Sequence, residues 1–218
     1  MNFIVFPGQG SQKIGMGKEM SDNFLEAREV FEEVNDALSF NLSKIMWEGS
    51  EKDIALTLNA QPALMACGVA VFRVLSKMSN KKLPQLANYV CGHSLGEYSA
   101  LSCAGYIKFS DTLKILRIRG DAMQNSVPKG IGGMVAILGS TIDIIEKILK
   151  DNENNFIAQI ANDNSEGQIV LSGKIVDLDK LIEILKVNNI KNIKLPVSAP
   201  FHSNLLSEAT KIMGQELN

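Results

Sequence analysis

The segment Gly92-His93-Ser94-Leu95-Gly96 has the pattern G-x-S-x-G, with the short apolar run Asn88 to Cys91 before it and the helix-forming run Leu95 to Ala104 after it. A strand, a glycine-flanked serine and a helix in that order make a nucleophile elbow. The glycines permit a sharp turn that lifts the hydroxyl out of the sheet and aims a helix N-terminus at it. The chemistry on offer is covalent catalysis by Ser94. Read structurally, the same residues would be only a glycine-rich turn capped by Ser94. A serine nucleophile needs a proton acceptor, and the sequence has two histidines. His93 adjoins Ser94, and on an extended entry its side chain points away from that hydroxyl. His202, in the loop Ser198-Ala199-Pro200-Phe201-His202-Ser203, is therefore the candidate base.

Arg119 lies on a predicted helix over Ser110 to Gln124, with Ile115, Leu116, Ala122 and Met123 at i−4, i−3, i+3 and i+4. That spacing starts its guanidinium from the apolar face, while Lys114, Arg117 and Asp121 mark the solvated one. An inward arginine requires an anion, because a buried unpaired charge costs several kcal/mol, roughly. The partner is either a structural Asp or Glu or a substrate carboxylate held bidentately. The loop Phe6-Pro7-Gly8-Gln9-Gly10-Ser11-Gln12 follows the first strand at its carboxyl end, where open α/β sheets place ligands. Gln9 offers an amide there, and the spacing is neither GxGxxG nor GxxxxGK[ST], which argues against a phosphate loop. Two histidines without carboxylate spacing indicate no metal site.

The elements that must position these residues are legible in outline. Phe3 to Phe6 is a strand stopped by Pro7-Gly8; Asn23 to Leu38 has helical periodicity through Phe24, Ala27, Phe31 and Val34; Pro62 opens a helix running through Leu75. With the Asn88 strand and the Leu95 helix, this is the rhythm of an α/β fold with a parallel sheet. Beyond Gly133 the order becomes strand Met134 to Leu138, helix Thr141 to Lys150, strands Phe156 to Ala161 and Gln168 to Ser172, helix Leu178 to Val187 and strand Lys191 to Leu195. That is the ferredoxin-like β-α-β-β-α-β order. The expected organisation is a hydrolase-like parallel-sheet core over 1–126, a ferredoxin-like subdomain over 127–197, and a return to the core over 198–218. A last helix is expected over Asn204 to Leu217. The core has only two sheet strands, fewer than the usual four to six, so it reads as incomplete.

Composition narrows the function classes. The chain of 218 residues is 45% hydrophobic and carries 22 basic and 24 acidic residues, a net charge of −2. It has enough apolar content for a packed core and no global electrostatic reason to bind nucleic acid or an anionic membrane. No apolar run is expected to span a membrane. The N-terminus MNFIVFPGQGSQ shows neither the charged start nor the small-residue cleavage site of a signal peptide, and is not expected to act as one. Cys67, Cys91 and Cys103 lack CxxC spacing and read as buried thiols in a reducing cytoplasm.

At these segments the sequence resembles a known family. FPGQGSQ, T-x-x-x-QPA at Thr57 to Ala63, GHSLGEYSAL from Gly92, Arg119-Gly120, NDNSEGQIVLSG from Asn162 and LPVSAPFHS from Leu195 together resemble the malonyl-CoA:acyl carrier protein transacylases of bacterial fatty acid synthesis. The likeness runs in order from Phe3 to the C-terminus. It implies a two-step transfer in which Ser94 is malonylated by malonyl-CoA, with His202 as general base, and then delivers the group to the phosphopantetheine thiol of an acyl carrier protein. It further implies an oxyanion hole from the backbone N–H groups of Gln9 and Leu95, a malonyl-carboxylate contact at Arg119, and CoA or pantetheine contacts at Asn162, Asn164 and Lys191. No cofactor, a monomer and a cytoplasmic location are expected. Glu166 departs from the proline usual in the Asn162 segment. The family also continues well past residue 218, supplying another core strand and a glutamine that orients the histidine, so the chain is expected to be C-terminally truncated. A serine thioesterase would share the elbow but has no need of the inward arginine. An inactive fragment is the alternative from outside catalysis.

Overall fold

A computed structural model describes residues 1–197 and 199–218; Ser198, part of the expected His202 loop and of the 197/198 boundary, lies outside the described residues. In chain order the elements are β1 (Phe3–Phe6), α1 (Lys18–Asn23), α2 (Leu25–Leu38), α3 (Leu42–Glu48), α4 (Glu51–Ala55), α5 (Thr57–Ser79), α6 (Leu83–Leu86), β2 (Tyr89–Gly92), α7 (Leu95–Cys103) and α8 (Phe109–Asn125). There follow β3 (Gly132–Leu138), α9 (Ile142–Asp151), β4 (Ala158–Ser165), β5 (Gln168–Lys174), α10 (Ile175–Val187), β6 (Lys191–Lys194) and α11 (Ser207–Glu216), the last preceded by a 3₁₀ turn at Asn204–Leu206. The chain forms two compact units, Met1–Asp121 and Ala122–Asn218.

In the first unit β1 and β2 pair in parallel, Phe3 opposite Tyr89 and Phe6 opposite Gly92. Alternation puts Phe6 (4% exposed) into the core, whereas Phe3 and Val5 on β1 and Tyr89 on β2 stand 56%, 64% and 55% exposed. Phe3 and Tyr89 stack across the strands at 5.2 Å. The two-strand sheet thus has one uncovered apolar face, as the strand count led us to expect. Ala27, Val30, Phe31 and Val34, at i, i+3, i+4 and i+7, bury one stripe of α2 in a core cluster that also holds Leu64, Met65 and Val69 of α5 and Leu113 and Leu116 of α8.

Two expectations need correction in α5. The helix starts at Thr57, five residues ahead of Pro62, which sits inside it. Proline there forfeits one backbone bond, that to the Leu58 carbonyl, and the burial of Thr57, Asn59, Ala60 and Gln61 outweighs the loss. Contrary to the reading of the apolar runs, α5 is also long and apolar enough by composition to cross a membrane; most of its apolar window is buried inside the protein, as befits a core helix.

The thiols differ from expectation as well. Cys91 is exposed on β2, while Cys67 and Cys103 are partly buried and unpaired. Burial pushes both of the latter up to about 12. A limiting dose of iodoacetamide on the native chain should therefore label Cys91 and spare Cys67 and Cys103, since only the thiolate reacts. Equal labelling of all three, read by peptide mass mapping, would contradict this burial.

The second unit contains an antiparallel sheet in the order β4-β5-β3-β6, the arrangement that a ferredoxin-like β-α-β-β-α-β chain adopts. Period-two alternation on β3 sends Val135 and Ile137 to one face, where they meet Ile145 of α9 and Leu178, Leu181 and Leu185 of α10. Met134 and Ala136 point the other way, onto Phe201, Leu206 and Ala209.

Candidate active site

Gly92 ends β2 and Leu95 begins α7, so the chain reverses over two residues, and Ser94 takes φ 53° and ψ −112° to do it. A non-glycine residue there is strained, and such strain persists only where the surroundings impose it. The imposing contacts are visible. His93 N–H donates to the Phe6 carbonyl at 3.0 Å, and Gly96 N–H donates to the His93 carbonyl at 2.9 Å. A Cβ on Gly92 would lie 1.9 Å from the Gly96 carbonyl carbon, and one on Gly96 would lie 2.3 Å from the Phe6 carbonyl oxygen. The glycines of G-x-S-x-G are therefore what let the elbow close and lie against the end of β1.

The Gln9 loop packs on the same elbow. A Cβ on Gly8 would come within 2.4 Å of His93 Nδ1, and half-buried Gln9 donates from Nε2 to Thr57 Oγ1 at 3.4 Å. Leu95 has its side chain in the core, 1% exposed, and its N–H in the first turn of α7, where backbone donors have no intrahelical acceptor.

Arg119 reaches Ser94. Its Nη2 donates to Ser94 Oγ at 3.1 Å and its Nη1 to Gln61 Oε1 at 2.7 Å, and its guanidinium lies 5.5 Å from the Tyr98 ring. Burial holds this guanidinium below its ordinary pKa, opposed by Tyr98, through charge and a hydrogen bond, and by the Glu97 carboxylate. Among the described residues Arg119 makes no ion pair, so the structural Asp or Glu allowed by the sequence is replaced by a neutral amide.

Arg117 is not on a solvated face. It is half-buried, donates from Nη1 to Asn59 Oδ1 at 3.1 Å and stacks 4.3 Å from the Phe40 ring. Burial lowers its pKa, with Asp121 acting against that. Both arginines reach α5 because α8 crosses its first turn closely: a Cβ on Gly120 would lie 2.6 Å from Leu58 Cα and from the Thr57 carbonyl. Gln61, 1% exposed, is the site residue that sequence reasoning left without a role. The available signal was a long amide inside an otherwise apolar helical run.

His202 belongs to the second unit, exposed and at φ 56°, beside buried Phe201. The turn around it is tied down by Ser203 Oγ donating to the Pro200 carbonyl at 2.7 Å and by Asn204 N–H donating to Gln159 Oε1 at 2.7 Å. Asn162, half-buried, and Asn164, exposed, lie on β4 where its pairing with β5 is bulged. Glu166 occupies the hairpin turn before Gly167, whose φ of 83° suits glycine. Lys191 is exposed at the start of edge strand β6, and Lys194 at its end is ion-paired with Asp179.

A strained serine between a strand and a helix, contacted by a partly buried arginine, has the geometry of a nucleophile elbow, which acyl transferases and hydrolases share. In agreement, the acyl transferase domain family matches residues 3–218. Malonyl CoA-acyl carrier protein transacylase of Bacillus subtilis strain 168 is 40% identical over 99% of the chain and 67% of its own length. The crystal structure of acyl-carrier-protein-S-malonyltransferase from Bartonella henselae superposes with a TM-score of 0.94 at 47% identity, over 99% of this chain and 68% of that one. A type II PKS acyl-carrier protein in complex with its malonyl-transacylase gives a TM-score of 0.90 at 34% identity, over 99% and 69%. The chain belongs to the malonyl CoA-acyl carrier protein transacylase family, and it spans about two-thirds of the length of these relatives.

Proposed function

We propose that the protein transfers a malonyl group from malonyl-CoA to the phosphopantetheine thiol of an acyl carrier protein through a malonyl-Ser94 ester. In the first half, Ser94 Oγ attacks the thioester carbonyl while His202 takes its proton; the oxyanion then collapses, the C–S bond breaks and the CoA sulfur leaves with the proton from His202. In the second half the carrier thiol loses its proton to His202, attacks the ester and returns the hydroxyl to Ser94. The Leu95 and Gln9 backbone N–H groups hold the oxyanion, each such donor contributing about 3 kcal/mol to the transition state. Asn162, Asn164 and Lys191 contact the CoA or pantetheine arm.

The observation that carries this reading is the 3.1 Å contact of Arg119 with Ser94 Oγ. In a malonyl ester the free carboxylate stands two carbons from the bond to Oγ, within reach of that guanidinium. An acetyl ester has nothing to offer it. The reading includes a ferredoxin-like insert over 127–197 between core segments 1–126 and 198–218, catalysis without cofactor or metal, a cytoplasmic monomer, and no nucleic-acid or membrane partner.

The test is intact-mass measurement after mixing with malonyl-CoA or acetyl-CoA. One malonyl increment on the chain and preference for malonyl over acetyl are expected, and Arg119→Ala should lose most of that preference. An unchanged preference in Arg119→Ala would remove the arginine from this role. Transfer to a carrier thiol faster than hydrolysis separates the reading from a thioesterase. Exposed Phe3, Val5 and Tyr89 favour a second reading, that the 218-residue chain alone folds weakly and does not turn over. A cooperative unfolding transition together with turnover would dismiss it.

A further inference from the structure

We infer that Gln61 is a selectivity-setting positioning residue: as a neutral partner it fixes the Arg119 guanidinium beside Ser94 without closing an ion pair, which leaves that place to the substrate's carboxylate. This rests on the reading of Arg119 given above. Three observations support it. Gln61 is 1% exposed and bonds Nη1 at 2.7 Å, while Nη2 of the same planar group reaches Ser94 at 3.1 Å. Two bonds at two corners of a rigid fork set both its position and its plane. Second, the site holds no paired carboxylate for Arg119 among the described residues, and the Glu97 charge acts from beyond ion-pair distance.

Third, the anchor itself is rigid. Gln61 sits on α5 at the crossing where Gly120 brings α8 against Thr57 and Leu58, with Arg117 held by Asn59 on the same turn of α5. A carboxylate at position 61 would satisfy the same geometry and close an ion pair, which strengthens the bond but spends the charge. An amide accepts the hydrogen bond without doing so. The cost of a partly desolvated guanidinium without an ion pair is then offset when an anionic acyl group arrives, and is not offset by a neutral one.

The experiment compares wild type, Q61E, Q61M and R119A by the ratio of malonyl to acetyl loading on Ser94 and by the split between KM and kcat for malonyl-CoA. Q61E should lower the ratio by about tenfold or more, the scale set by a hydrogen bond to a charged group. The change should appear as a raised malonyl-CoA KM with the melting temperature preserved. Q61M, which loses the acceptor but brings no counter-charge, should fall less far than Q61E. A wild-type ratio in Q61E, or a loss in Q61M as large as in Q61E, overturns the inference. Should Q61E fail to accumulate as folded protein, a wild-type ratio in Q61M overturns it instead. R119A separates the two readings: a lost preference there with an intact one in Q61E sinks only the Gln61 inference, whereas an intact preference in R119A sinks the carboxylate role itself.

Discussion

Ser94→Ala should form no malonyl adduct and should lower transfer to the carrier thiol by roughly 10⁴-fold or more, the scale seen when a catalytic nucleophile is removed. Alanine keeps the Cβ and so keeps the strain at φ 53° and ψ −112°, but loses the oxygen that meets Arg119 at 3.1 Å. Ser94→Gly removes the same oxygen and also relieves the backbone, because glycine adopts positive φ at no steric cost. The glycine variant should therefore be more stable than the alanine variant by roughly 1 kcal/mol. Equal melting temperatures would show that the turn carries no strain. A malonyl adduct on the alanine variant, mapped to any other residue, would end the proposed mechanism.

The second large effect is expected at Gly92. An alanine Cβ there would lie 1.9 Å from the Gly96 carbonyl carbon, 2.0 Å from its oxygen and 2.3 Å from Glu97 nitrogen. All three are backbone atoms of α7, so no side chain can rotate aside; the helix must shift or the strand must leave the elbow. Overpacking of this kind costs about 3 kcal/mol, which for a chain of this size lowers the melting temperature by roughly 6–12 °C. Acylation should fall with it, since Leu95 N–H moves with the first turn. Gly92→Ala with unchanged melting and unchanged loading would mean that the elbow is looser than these distances allow.

Much of the fold was legible because its signals are local. G-x-S-x-G between an apolar run and a helical one specifies the β2–α7 elbow within a few residues, and short apolar runs between helical stretches located the strands of the antiparallel sheet, with β4 displaced from the expected 156–161 to Ala158–Ser165. What escaped depends on partners distant in sequence. Pro62 carries a strong local signal for a helix start, yet α5 begins at Thr57, where buried polar residues meet α8. Arg117 sits two residues from Arg119, and helical spacing assigns them to different faces. The sequence contains no local mark that Phe40 and Asn59 would cover the first as Gln61 and Tyr98 cover the second. Cys91 reads as buried from its apolar neighbours and is exposed because β2 lies on an uncovered sheet face. Gln61 stood in the recognised segment, but its partner lies 58 positions further along the chain.

The contact of Gly120 with Thr57 and Leu58 has a mechanical consequence for the residues that α5 and α8 carry. Where two helices touch through side chains, small displacements are absorbed by rotamer changes. Here the backbones themselves abut, and the slack is missing. A slide of α8 along its axis would carry Arg119 past Gln61 and change its contact with Ser94. On the proposed role of Arg119, discrimination between a charged and a neutral acyl group would depend on how these two helices cross, and substitutions that alter the crossing should tune it without touching a substrate atom.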